Sequence, residues 1–134
     1  MKIFVDTNVF LRFLLADHPK QSPASRRLFE EAKENKIKLT THSIVIVEII
    51  WTLQSFFGFS KQEILDKLNV ILHFNQLEII DCDILVMAVE IFGDKNVDFI
   101  DAYVASYLVQ KKIYQIYSFD KDFDKIGKIK RIEP

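Results

Sequence analysis

Four carboxylates stand where a solvated surface does not readily account for them: Asp6, Glu48, Asp101 and Asp120. Asp6 closes the apolar run Ile3-Phe4-Val5 and is followed by Thr7 and Asn8, both good helix caps. Glu48 is the only formally charged residue between Lys38 and Lys61 and lies inside an apolar stretch. Asp101 follows Asp98 by three residues, so both can share one helix face. Asp120 comes just after Gln115-Ile116-Tyr117-Ser118, a strand-like run. Several carboxylates gathered without a cationic partner repel, and their pKa values rise. A hard divalent cation removes that cost, and Mg²⁺ or Mn²⁺ takes oxygen ligands while keeping waters that a phosphate can displace. The chemistry this points to is metal-assisted phosphodiester hydrolysis.

Each acid also has a plainer role. Asp6 can cap a helix. Glu48 can lie on a wet helix edge with Thr52 and Ser55. Asp98 can cap, leaving Asp101 in a first turn that favours negative charge. Asp120 can belong to an acidic turn with Asp122 and Asp124.

The elements that must position these groups are legible from periodicity. The run before Asp6 reads as a short strand buried on both faces, as in a helix-covered parallel sheet. A first helix follows from about Asn8 to Ala16, and a second begins near Pro23. Lys38–Thr41 is a strand. Ser43 is the expected cap of a helix through Leu53 that is β-branched enough to resemble a strand; its length argues for a helix. Gly58, among Phe56, Phe57 and Phe59, is the expected terminator of that helix. Ser60 with Glu63 forms a capping-box pattern. Leu77–Ile80 is a strand, Asp83 the expected cap of the next helix, and a further helix runs to about Gln110. Gln115–Ser118 and Lys130–Ile132 complete the strands. Alternating strands and helices give an α/β chain with a parallel sheet of four to five strands in three layers.

The whole chain bounds the rest. Its 134 residues fit a single domain, with no internal repeat or linker. The formal net charge of −1 gives no overall basic field for nucleic acid. Basic residues do cluster: residues 111–131 hold seven Lys or Arg, and Arg12, Lys20, Arg26 and Arg27 form a second group. The single cysteine, Cys82, allows neither an intrachain disulfide nor a cysteine zinc cluster. The apolar stretch 44–59 is shorter than the roughly 20 residues of a membrane span. The expectation is a soluble cytoplasmic protein.

Taken together, Val5-Asp6-Thr7-Asn8-Val9, Glu48-Ile49-Ile50-Trp51-Thr52-Leu53, Phe99-Ile100-Asp101-Ala102-Tyr103-Val104-Ala105 and Ser118-Phe119-Asp120-Lys121-Asp122-Phe123 resemble the PIN-domain nucleases, in particular VapC-type toxins of toxin–antitoxin pairs. The resemblance spans essentially the whole chain. It implies a three-layer α/β/α PIN-like fold over residues 1–134, Mg²⁺- or Mn²⁺-dependent endoribonuclease activity, a homodimer, and a small antitoxin. It implies that Asp6 and Asp101 ligate metal. Asp120 would complete or water-bridge the coordination, and Glu48 would bind metal or orient the attacking water. Asn8 and Ser118 match polar positions that hydrogen-bond behind the ligands, and Asp98 and Asp122 are nearby acids. Position 118 is Ser where many relatives have Thr, which keeps the hydroxyl.

Two other readings compete. One is a catalytically silent PIN-like module that binds RNA or protein. The other is a phosphotransfer protein using Asp6 as acceptor. The second wants an Asp at position 8, where this chain has Asn8, and a Lys after a late strand, where Ser118 leads into Phe119-Asp120.

Overall fold

The computed structural model describes residues 2–134. The class is α/β, with helices alternating with strands and every strand pairing parallel. The chain forms two compact units, Met1–Ile80 and Asp81–Pro134.

In the first unit, β1 (Lys2–Phe4), β2 (Lys38–His42) and β3 (Leu77–Ile80) form one sheet in the order β1-β2-β3. Two helices fill each crossover: α1 (Thr7–Leu15) and α2 (Gln21–Lys33), then α3 (Ser43–Ser55) and α4 (Lys61–Leu72). α1 and α2 pack through aromatic rings, with Phe29 centred 5.6 Å from Phe10 and 4.6 Å from Phe13. α3 supplies Ile46, Ile49, Ile50 and Leu53, all fully buried. Its β-branched residues are therefore helical because tertiary burial outweighs their weak local preference. Gly58, at φ +66°, takes the left-handed turn after α3 that a Cβ would strain. The Ser60–Glu63 capping box is present at α4.

The second unit holds α5 (Cys82–Asp94) and α6 (Phe99–Gln110), which pack on each other. Phe92 meets Phe99 edge-on at 5.4 Å. β4 (Gln115–Tyr117) and β5 (Lys130–Ile132) pair beside a 3-10 turn, Lys121–Lys125. Ala105, Leu108, Phe123, Ile126 and Ile129 form the core beneath this turn. Arg131 clamps the edge: it donates to both carboxylate oxygens of Asp124 at 3.0 and 3.2 Å, to Glu133 at 2.9 Å, and to the Ser118 carbonyl at 3.1 Å.

Three expectations are corrected. The five strands are all present, but they are divided into sheets of three and two rather than one sheet. Three of them have only three residues, so each pairing rests on few backbone bonds. β1 is an edge strand of its sheet, and Ile3 and Phe4 are 45% and 53% exposed; of that apolar run only Val5 is buried. Helix caps also shift. His42, not Ser43, caps α3, its Nδ1 accepting the Ile44 N–H at 3.0 Å, and Ser43 becomes a buried helical residue. Asp81 rather than Asp83 precedes α5, and Asp83 falls in its first turn.

Candidate metal and catalytic centre

The carboxylates are set by the ends of strands and helices within each unit. In the first unit, Asp6 follows the carboxyl end of β1. Its chain neighbour Val5 is pinned from both sides: the Val5 N–H donates to the Thr40 carbonyl at 2.8 Å, and the buried Thr41 hydroxyl donates to the Val5 carbonyl at 2.9 Å. Asp6 occupies the N-cap position of α1, but its side chain makes no capping bond. The plainer role considered for it, a side-chain cap, is therefore not taken up. Thr7 does not cap either. It is 5% exposed, and its hydroxyl donates to Glu48 Oε2 at 2.7 Å. Glu48 itself lies on the exposed edge of α3, with the Thr7 hydroxyl bonded to one of its oxygens. Asn8 is exposed in the first turn of α1.

In the second unit, Asp98 holds the N-cap position of α6, also without a side-chain capping bond, and Asp101 sits in the first turn. Asp120 begins the 3-10 turn. Its carboxylate accepts the Asp122 N–H at 2.9 Å, and its own N–H donates to Ser118 Oγ at 3.0 Å. These two bonds lock the loop in one conformation. Asp101, Asp120 and Asp122 each present a carboxylate oxygen within 4.8 Å of the others. Asp122 is thus close to both Asp101 and Asp120. Lys125 pairs with Asp122 at 2.9 Å and also donates to the Asn96 carbonyl at 2.8 Å, so part of the basic cluster at 111–131 serves the turn itself.

The electrostatics follow from that crowding. Burial, then the hydrogen bond and charge of Asp120, then the charges of Asp98 and Asp122, push Asp101 up to about 7. Asp120 moves the other way. The Asp122 N–H is the main cause, helped by the hydrogen bond from Asp101 and by the charges of Lys125 and Arg131. As pH falls below about 7 the pair therefore takes up one proton, on Asp101. The donors are all carboxylate oxygens, which fits a hard cation of the Mg²⁺ or Mn²⁺ type and not a thiolate- or imidazole-seeking one.

The model of the PIN domain matches residues 3–129. The chain belongs to the PIN-domain family. Among curated proteins, this PIN-domain chain is 23% identical over 130 residues to the VapC ribonuclease of Aquifex aeolicus (strain VF5), covering 97% of this chain and 95% of that protein. Among solved structures it is similar to Mycobacterium tuberculosis VapC20, a sarcin-ricin loop cleaving toxin, at 21% identity and a TM-score of 0.45, with all of both chains covered. It is also similar to VapBC2 from Rickettsia felis bound to a DNA fragment from their promoter, at 17% identity and a TM-score of 0.42, with 99% and 98% covered.

Sequence reasoning missed two groups in this PIN domain, Thr7 and Thr41. The signal for Thr41 was only a polar residue near the end of a short strand. Thr7 had a signal only as a capping residue, and its actual partner lies 41 positions away.

Proposed function

We propose that the protein is a metal-dependent endoribonuclease of the VapC type, hydrolysing RNA phosphodiester bonds. The observation that carries this reading is the group of three carboxylates, Asp101, Asp120 and Asp122, in a PIN-domain chain whose curated relative is named a ribonuclease. The residues proposed as catalytic and metal-binding are Asp6, Glu48, Asp101 and Asp120. Asn8, Ser118, Asp98 and Asp122 support them. The cofactor is Mg²⁺ or Mn²⁺. When bound, it polarises a phosphoryl oxygen and lowers the pKa of a water ligand. The chain's own residues do the rest. Asp120 is held in one rotamer by the Asp122 N–H. Asp101 would hold the cation with its carboxylate ionised, the proton and the metal competing for the same oxygens. Glu48, steered by Thr7, orients the attacking water. The protein acts in the cytoplasm as a homodimer over a single PIN-like domain, residues 1–134, and a small antitoxin restrains it. Among the described residues no helix is long and apolar enough to cross a membrane.

The test is cleavage of total cellular RNA by the purified protein with Mg²⁺, with Mn²⁺ and with EDTA. Discrete fragments that form with metal and vanish with EDTA are expected. Fragments that persist in EDTA would remove the metal from the mechanism; no cleavage with either metal would leave a binding module.

The Thr7–Glu48 bond gives a second expectation. Thr7→Val keeps the shape of the buried side chain and deletes the donor. Cleavage should fall about 10- to 100-fold, the usual cost of losing a group that orients an active-site residue. Far-ultraviolet dichroism should be unchanged. Parental turnover in Thr7→Val would mean that Glu48 needs no steering.

A further inference from the structure

We propose that the hollow at the α1–α2 turn binds a phosphate of the RNA strand, apart from the carboxylates; this rests on RNA being the substrate. The cavity has a volume of about 590 Å³, and Asp17, His18, Pro19, Ser22, Arg26 and Arg27 are among its lining residues. Its one carboxylate, Asp17, is ion-paired with Arg12 at 3.0 Å. Arg26 and Arg27 hold no ion pair or hydrogen bond among the described residues, so their charge is left for a ligand.

His18 adds a third donor. Its Nδ1 accepts the backbone N–H groups of Lys20 at 3.2 Å and Gln21 at 3.0 Å. The ring proton therefore resides on Nε2. The turn is held rigid as well: Ser22 Oγ accepts the His18 N–H at 3.1 Å, and Pro19 fixes its own φ. Two unpaired guanidiniums on α2 and an imidazole N–H on the turn before it suit an anion with several oxygens. The volume lies in the range of sites for small organic ligands and exceeds what a lone inorganic anion fills. Position favours a strand over a free nucleotide. α1 has nine residues and is about 14 Å long, with Asp6 before its amino end and the cavity at its carboxyl end. A few nucleotides of one strand cover that distance.

The experiment is fluorescence anisotropy of a short labelled single-stranded RNA with the full-length protein in EDTA, across a salt series. Arg26→Gln/Arg27→Gln should weaken binding about tenfold at low salt and reduce the slope of log affinity against log salt by about 1.4. Arg26→Lys/Arg27→Lys should keep the slope, which separates loss of charge from loss of fold. Inorganic phosphate should compete with RNA for the parent and lose that effect in the Gln variant. Unchanged affinity and slope in the Gln variant, or no RNA binding by the parent, overturns the site. Phosphate binding that depends on the Arg pair, with RNA binding that does not, overturns it in favour of a free anion. The outcome is separable from the nuclease reading. Arg-dependent RNA binding without cleavage in any metal would sink the nuclease and spare this site. Cleavage with Arg-independent binding would do the reverse.

Discussion

In Asp101→Asn, metal-dependent RNA cleavage should fall by about a thousandfold, while the metal-free protein melts no earlier than the parent at pH 8. The two halves have one cause. Asp101 is a carboxylate that resists ionising, held up to about 7 first by burial and then by Asp120, Asp98 and Asp122. Asparagine has its shape and cannot ionise. Replacing Asp101 thus relieves repulsion at pH 8 and costs the fold nothing there. The metal, however, loses an anionic ligand. A bound cation contributes several kcal/mol to the transition state, and about 1.4 kcal/mol is a factor of ten in rate. Single-turnover cleavage and thermal melts of the same preparation check both parts. Parental activity in Asp101→Asn would take metal binding away from this residue. A collapsed melting temperature at pH 8 would mean that the residue is structural.

The second large effect is on pH. In the folded chain Asp101 titrates at about 7 against an ordinary value of 3.8, so between those values the folded state holds a proton that the unfolded state has lost. Its contribution to stability is full below about 3.8 and is lost as pH rises through about 7. The metal-free protein should therefore melt earlier at pH 8 than at pH 5, as far as this group decides. Asp120 has the opposite sign: its pKa is lowered, and its contribution is lost only as pH falls through that lowered value. It does not cancel the trend between pH 5 and 8. Metal binding runs the other way, because a cation must displace the Asp101 proton. Mn²⁺ affinity should drop about tenfold for each pH unit below 7, so roughly a hundredfold by pH 5. Calorimetric titration with Mn²⁺ at several pH values measures it, with Asp101→Asn as the control that should flatten the slope. A flat profile in the parent would mean that no shared proton guards the site.

Much of this was legible in the sequence because it is local. The helix at Ser43–Ser55 could be recognised despite its β-branched residues, since a run of that length in an isolated strand is rare. The Ser60–Glu63 cap is written within four residues. Asp120 and Asp122 meet for the same reason: they are two apart in a tight turn. What was not legible depends on partners distant in the chain. Which parallel strands pair is not encoded in any one strand's pattern, so the division into three and two was hidden. The Thr7–Glu48 bond joins residues whose local roles pointed elsewhere. His42 was overlooked as a cap because its acceptor nitrogen does that work only in one tautomer, which the sequence does not specify.

The position of Arg131 has a consequence for how the loop bearing Asp120 and Asp122 opens. One guanidinium holds Asp124, Glu133 and the Ser118 carbonyl, and Ser118 in turn accepts the Asp120 N–H. The loop is therefore riveted to β5, a strand of three residues, as well as resting on α6 through Phe123. Amide exchange at 118–123 should then follow the opening of that short strand. The exposure of the acidic loop to solvent is thereby timed by a strand of three residues.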